Sequence, residues 1–269
     1  GYAGLGASVH ASGEQYTTRT AQNACAFLWH VWQEEGIPVY QQVDNEGCFS
    51  GGHTHPGVLG KVLRLALLVG TQLVFSPFYH PASNAFVERF HQDYAQFVWQ
   101  KEALDGLPAV RQRSALFYHQ YRASRHHSQL QGRSPAECHR AVPARPLPLN
   151  YQRPERLPLT AGQVHFMREV DTKQQVRVLN LDWKVPTAKP HQGVWVTLTL
   201  TPRGATLAVF DAAPDAPRRT RLIAYPFPLK EPVVPLAKTF CPPTHRWTAW
   251  FGLTRRALGY VLYRLSTMS

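Results

Sequence analysis

Cysteine is scarce in this chain, and the few that occur lie far apart. The 269 residues include only Cys25, Cys48, Cys138 and Cys241, with no CxxC pair. This spacing argues against a structural zinc site of the cysteine type and is typical of free thiols in a reducing compartment. Long apolar runs are missing too, because no stretch reaches the roughly 18 to 20 apolar residues of a membrane span. Gly1 is not followed by a signal-peptide pattern.

Acidic residues are also few. The chain has 17 Asp and Glu against 29 Lys and Arg, which gives a formal net charge of +12 at pH 7. A balance this basic favours a polyanionic partner, most commonly nucleic acid, with a membrane surface as the main alternative. Hydrophobic residues make up 44% of the chain, which indicates a globular protein with room for one large or two modest domains.

The first 104 residues alternate between strand and helix signals, which predicts an α/β core. Thr20 can cap a helix that runs to about Glu35, where Gly36 ends it. The run PVYQQV predicts a strand that ends at Asp44. A helix over 56–69, a short strand over 73–75 and a long helix over 84–102 follow. Another helix, over 107–122, belongs to a helical connector assigned to residues 105–141.

The pattern changes after residue 141. Residues 142–161 are rich in proline and predict a semi-rigid linker. Over 162–231, the runs QVHFMREV, QVRVLNL, VWVTLTL, TLAVF and RLIAY predict five short strands and a small β-barrel of SH3-like type. Residues 232–269 form a basic, aromatic tail with no acid after Glu231.

Two carboxylates occupy positions suited to chemistry. Asp44 lies at the carboxyl end of a predicted strand and Glu88 in the first turns of a predicted helix. Hard oxygen ligands of this kind select Mg²⁺ or Mn²⁺. On its own the pattern is weak, because an acid at a strand end and one at a helix start are ordinary features.

The residues around these acids carry a resemblance. GIPVYQQVDNE (36–46) resembles the second-acid segment of retroviral-type integrases and bacterial insertion-sequence transposases of the DDE type, and SPFYHPASNAFVERFH (76–91) resembles their third-acid segment. YHQYRASRHHSQLQGRSPAE (118–137) resembles the stretch that follows their catalytic core. Three motifs in this order are specific to the family, over about residues 1–141.

The resemblance implies a fold, a reaction and partners. The expected fold is an RNase H-like α/β core followed by an SH3-like barrel. The implied reaction is DNA strand transfer with Mg²⁺ or Mn²⁺, in which Asp44 and Glu88 are the second and third catalytic and metal-binding acids. The implied partners are double-stranded DNA, at element ends and at the target, and further copies of the chain. A cytoplasmic, nucleoid-associated protein of bacterial type is expected.

The family's first acid has no counterpart here. No Asp precedes Asp44, and the earlier acids are Glu14, Glu34 and Glu35. We therefore expect the chain to begin after the first strand of the core and to be inactive by itself. Two further departures are Glu46, where the family usually has Gly, and Ala85, where it usually has Gly.

Basic residues near these motifs are candidates for DNA contact. The resemblance favours phosphate contacts over solvated surface charge in the basic run after the core, while barrel residues are as often only solubilising. The candidates are Arg89, His91, Arg122, Arg125, His126, Arg133, Lys173 and Arg177.

Several alternatives stay open. Cys48, His53 and His55 could bind zinc, although their spacing fits no common motif. Apolar residues between Trp247 and Leu265 fit one helical face, which could lie on a membrane or a partner. The chain could also be a DNA-binding remnant without chemistry, or a regulatory subunit of a transposase multimer.

Overall fold

The computed structural model describes residues 11–18, 20–43, 45, 47–50, 56–77, 85–101, 103–124, 132–140, 145–241 and 261–262. For residues 48, 50, 85–89, 124, 139–140 and 261–262 it describes the backbone alone. The α-helices are α1 (Ala21–Glu35), α2 (Gly47–Ser50), α3 (Lys61–Leu68), α4 (Ala85–Tyr94), α5 (Gly106–Ser124) and α6 (Pro135–Arg140). No helix in these ranges is long and apolar enough to cross a membrane.

Strand residues form a mixed sheet and a separate hairpin. The strands are β1 (Tyr40–Val43), β2 (Gln72–Phe75), β3 (Gly162–Glu169), β4 (Gln175–Val178), β5 (Leu181–Lys184), β6 (Gly193–Thr201), β7 (Gly204–Phe210), β8 (Arg221–Phe227) and β9 (Val261–Leu262). The sheet order is β8-β7-β6-β3-β2-β1-β9, and β4 pairs only with β5. Strands β3, β2, β1 and β9 run parallel, whereas β3, β6, β7 and β8 are antiparallel.

The predicted α/β elements are confirmed, with shifted ends. In α1, the Thr20 hydroxyl accepts a hydrogen bond from the Asn23 amide at 3.1 Å, and Gly36 ends the helix at a φ of 92°. The long helix predicted over 84–102 is α-helical only to Tyr94 and continues as a π-helix over Ala95–Trp99. The strand predicted over 175–181 is instead split, because Leu179 and Asn180 have positive φ and turn the chain into a hairpin.

A separate SH3-like barrel is not confirmed. Four of the five strands assigned to it, β3, β6, β7 and β8, join the core sheet, since β3 pairs in parallel with β2. The Phe75 and Phe166 rings stack across this junction with centroids 4.8 Å apart. One buried apolar cluster therefore extends from α1 and α3 to β7. The open edge of β2 and the apolar side chains of β3 explain the junction, because paired strands satisfy their backbone groups and bury those side chains.

A second, smaller core joins the π-helix to α5. It consists of Tyr94, Val98, Phe117, Tyr118 and Tyr121. The Tyr94 hydroxyl donates to Ser114 Oγ at 2.6 Å, because Ser114 Oγ itself donates to the Val110 carbonyl. The helices that follow the predicted third acid are thus fixed by aromatic packing and buried hydrogen bonds.

The predicted linker and the start of the predicted tail both pack on the body. Leu147 and Leu159 of the linker are buried, as are Val233 and Phe240 of the tail. The Phe240 ring meets the Tyr151 ring edge-on at 4.9 Å. The predicted boundary at residue 232 therefore does not mark the end of the packed body.

The prediction of a helical face between Trp247 and Leu265 is wrong at Val261–Leu262. These two residues form β9 and pair in parallel with Gln42 and Val43 of β1. The open backbone groups of a sheet edge account for this, since they stabilise an added strand. The other residues of that face lie outside the described ranges.

Candidate metal and DNA site

The carboxyl ends of β1 and β2 meet at one edge of the sheet. Val43 and Phe75 are register partners, so both strands end side by side. Asp44 follows β1 directly but lies outside the described residues, and Glu88 is described only as backbone in α4. Their predicted proximity therefore stays a prediction, although ligands of parallel sheets bind at this kind of edge.

Two described residues beyond the strand ends are hydrogen-bonded to each other. Asn45, next to Asp44, donates from Nδ2 to the Ser76 carbonyl at 2.6 Å. Gln42 donates from Nε2 to Ser76 Oγ at 2.9 Å, and the Ser76 amide donates to the Val43 carbonyl at 3.0 Å. The end of the predicted second-acid segment is thus tied to the start of the predicted third-acid segment.

Arg168 reaches the same edge from β3. Its Nη2 donates to Asn45 Oδ1 at 2.7 Å and its Nη1 to the Ser76 carbonyl at 3.0 Å. Its Nε donates to the Arg177 carbonyl at 2.9 Å. The side chain is 6% exposed, and burial lowers the pKa of Arg168 to about 9. The guanidinium is therefore still charged at neutral pH.

Sequence reasoning missed Arg168. The available signal was an arginine next to Phe166 and Met167 in a predicted strand, where a long charged side chain is seldom buried without partners. Nothing in the sequence named those partners, which are 92 and 123 positions away.

The comparison with known families bears on this edge. Residues 69–135 match the family model described as "Integrase core domain". This segment is therefore similar to an integrase core. The match contains β2, α4 and α5, and with them the whole 76–91 segment and most of 118–137. It does not contain 36–46, so the role of Asp44 rests on its motif.

Solved structures give a more distant similarity. A chain in the cryoEM structure of the simian T-cell lymphotropic virus intasome in complex with PP2A regulatory subunit B56 gamma is 13% identical. The similarity covers 82% of this chain and 69% of that chain, with a TM-score of 0.41. It is too distant to transfer a role to any residue. No curated protein matches.

Arg122, which was predicted to contact DNA, has several partners inside the fold, and its contact with DNA stays a prediction. Nε donates to the Ala11 carbonyl at 2.5 Å, and Nη2 donates to Ser12 Oγ at 2.7 Å. Nη1 lies 3.6 Å from Glu35 Oε1, and the Arg122 side chain is only 27% exposed. Since each of its nitrogens has an internal partner, Arg122 fastens residues 11–12 and α1 to α5.

His91 is turned partly into the fold. Its ring meets the Phe90 ring edge-on, with centroids 5.9 Å apart, and burial lowers its pKa below the usual value. His91 is therefore neutral at pH 7 and offers no charge to a phosphate. The Arg89 side chain lies outside the described atoms.

Three of the remaining predicted DNA contacts, Arg133, Lys173 and Arg177, are exposed. Arg133 is exposed in the turn before α6, whereas Arg125 and His126 lie outside the described residues. Lys173 is exposed in a turn closed by Asp171, whose Oδ1 accepts from the Lys173 amide. Arg177 is 63% exposed and lies 3.9 Å from Asp182. These contacts stay predictions, and exposure is what supports them.

The Ser-Pro-x-Glu end of the third motif has a structural explanation. Glu137 Oε2 accepts from the Ser134 amide at 2.6 Å, while the Glu137 amide donates to Ser134 Oγ at 3.3 Å. This reciprocal pair is a capping box, and Pro135 occupies the first helical position. That part of the motif therefore starts α6.

Metal-ligating side chains do not cluster in the part of the chain that the structure describes. No group of three His, Cys, Asp or Glu side chains is close enough there to hold a metal ion. His53, His55 and the Cys48 side chain lie outside it, so the zinc hypothesis stays untested. Cys25, Cys138 and Cys241 are free thiols, as predicted.

Proposed function

We propose that this chain is part of a DDE-type transposase or integrase, with Asp44 and Glu88 as carboxylate ligands of Mg²⁺ or Mn²⁺. The observation that carries the proposal is the hydrogen bond from Asn45 Nδ2 to the Ser76 carbonyl. It joins the residue after Asp44 to the segment that leads into the helix of Glu88. The integrase-core match over 69–135 supports the part of the assignment that concerns Glu88.

The donor set suits these cations, because ionised carboxylates are hard ligands. Bound there, a divalent ion activates the attacking oxygen or stabilises the leaving oxygen of an in-line displacement at phosphorus. The chain's own contribution is to hold the carboxylates at a rigid strand end and a rigid helix start. Asn45 and Ser76 fix the connecting segments of both.

We also propose that the 269 residues do not carry out strand transfer unaided. The acids before Asp44 are engaged elsewhere. Glu14 accepts from the Tyr16 hydroxyl at 2.6 Å, Glu34 lies 3.4 Å from His30, and Glu35 pairs with Arg122. The proposed site then has two carboxylates, Asp44 and Glu88, where the family that the motifs resemble uses three.

A strand-transfer assay with Mg²⁺ or Mn²⁺ tests both proposals. No product is expected from the chain itself, and product is expected once a strand carrying Asp is fused before Gly1. In that extended protein, Asp44→Asn and Glu88→Gln should abolish product, while Asp105→Asn, at an exposed site, should not. Robust activity of the unextended chain would refute the inactivity, and an active extended Glu88→Gln protein would refute the assignment of the third acid.

The proposed partners are double-stranded DNA and further copies of the chain, since joining two DNA ends needs more than one active site. A nucleoid-associated location in a bacterial cytoplasm follows from that proposal. The alternative is a DNA-binding protein without chemistry, which the lack of any Asp before Asp44 favours. It predicts DNA binding by the extended protein without strand transfer.

A further inference from the structure

We propose that Arg168 is a positioning residue that sets the spacing between the Asp44 segment and the segment leading to Glu88. The inference rests on the proposed function, because it gives Arg168 a role at that site. Arg168 lies far outside the matched integrase core, on a strand after the predicted linker.

The geometry makes Arg168 a bridge. One guanidinium contacts Asn45, which follows β1, and Ser76, which follows β2. Asn45 itself donates to the Ser76 carbonyl, so the three residues form a closed triangle of hydrogen bonds. Moving either segment away from the other would break at least two of these bonds.

The triangle also fixes the Asn45 amide. Arginine has only donors, so the Asn45 atom that faces Arg168 must be the oxygen. That leaves Nδ2 to face the Ser76 carbonyl, which is an acceptor, and every contact is satisfied. An aspartate at position 45 would lack the donor, and a lysine at position 168 would lack the planar fork that reaches three acceptors.

The chain offers a matched control in Arg145. This partly buried arginine contacts the carbonyls of Pro38, Val69 and Gly70, which precede β1 and β2. Arg145→Lys and Arg168→Lys therefore remove the same kind of contact from opposite ends of the same two strands. A merely stabilising role for Arg168 predicts equivalent effects of the two changes.

Hydrogen exchange of single amides decides the question. The Ser76 amide donates to the Val43 carbonyl, and the Gln72 amide donates to the Val39 carbonyl. In Arg168→Lys, we expect exchange at Ser76 to rise by about tenfold or more while Gln72 stays protected. In Arg145→Lys, we expect the reverse. An unchanged Ser76 amide in Arg168→Lys, or equal changes at both amides in both variants, would overturn the proposal.

Mn²⁺ binding, measured by the loss of the free ion's paramagnetic resonance signal, tests the positioning role of Arg168 separately from the proposed metal site. Arg168→Lys should weaken binding by about tenfold, while Arg145→Lys should change it less than about twofold. Full affinity in Arg168→Lys would overturn the positioning role. If the unaltered chain does not bind Mn²⁺, or if Asp44→Asn does not reduce the binding, the metal-site proposal fails. The exchange result still decides whether Arg168 fixes the two segments.

Discussion

Arg145 and Arg168 hold the same pair of parallel strands from opposite ends. Arg145 donates to carbonyls at Pro38 and Gly70, just before β1 and β2, and Arg168 donates to Asn45 and Ser76, just after them. Both arginines come from the part of the chain after residue 141. The edge proposed to carry the acids is thus held by Arg168, which lies outside the segment that matches the integrase core.

The inward contacts of Arg122 predict a loss of stability when they are removed. Arg122→Met should lower the free energy of unfolding by about 1 to 3 kcal/mol, because hydrogen bonds and a partly buried ion pair are lost. Urea denaturation measures it. Arg133→Met, at an exposed site, is the control and should change stability by less than about 0.5 kcal/mol. Equal stability of the two variants would contradict the internal role of Arg122.

DNA binding should depend on Arg125 and Arg133 more than on Arg122, whose nitrogens have partners inside the fold. Each phosphate contact contributes about 0.9 to the slope of log K against log salt concentration. Replacing Arg125 and Arg133 with alanine should therefore flatten the slope measured on a random duplex by almost two. Replacing Arg122 alone should leave it unchanged. A slope that falls with Arg122→Ala and stays constant in the double variant would reverse this assignment.

The start of the tail should be essential for stability. Phe240 is 3% exposed and packs on Tyr151, and its carbonyl accepts a hydrogen bond from Arg145. Phe240→Ala should cost about 3 to 5 kcal/mol, as large-to-small changes in cores do. Leu149→Ala, at a side chain that is 89% exposed, is the control. A thermal midpoint that barely changes in Phe240→Ala would show that the start of the tail contributes little to stability.

Local patterns predicted the helices and strands well because their causes are local. Thr20 and Gly36 bound α1 through a side-chain cap and a positive φ, and both are visible in the sequence. The parallel pairing of β2 with β3 was not predictable in the same way, because it joins residues about 90 positions apart. A repeating strand pattern fits a barrel and an extended sheet equally well.

In the candidate site too, local features were predicted and long-range contacts were not. The motifs place Asp44 at a strand end and Glu88 on a helix, and α4 and β1 are found there. The contacts of Arg122 and Arg168 are with residues far away in the sequence, so composition and spacing did not predict them. A basic residue next to a DNA-binding motif reads as a phosphate contact until a buried carboxylate such as Glu35 is found beside it.

His165 gives the protein a pH dependence that sequence reasoning did not anticipate. Its Nε2 lies 2.7 Å from Gln72 Oε1 and its Nδ1 lies 3.0 Å from Thr197 Oγ1, while Arg219 donates to the same Thr197 oxygen. The Thr197 hydroxyl can then donate to Nδ1, which makes Nε2 the protonated nitrogen. A neutral His165 ring satisfies both of its hydrogen bonds, which link Gln72 of β2 to Thr197 of β6.

Burial, reinforced by the charge of Arg219, lowers the pKa of His165 to about 3. Because this value lies below the usual one near 6.5, the unfolded chain takes up a proton between these pH values and the folded chain does not. The stabilisation is therefore complete above about pH 6.5 and is lost as the pH falls towards 3. Between pH 7 and pH 5 the loss attributable to this residue should be about 2 kcal/mol.

We expect His165→Gln to be less stable at pH 7 but to lose correspondingly less on acidification, in urea titrations at both pH values. His119→Gln, at an exposed site, should keep the acid sensitivity of the unaltered chain. If His165→Gln and the unaltered chain lost stability in parallel from pH 7 to pH 5, the folded protein would take up the His165 proton over the same pH range as the unfolded chain. The hydrogen-bond chain that joins β2 to the C-terminal strands would then need a charged histidine at its centre.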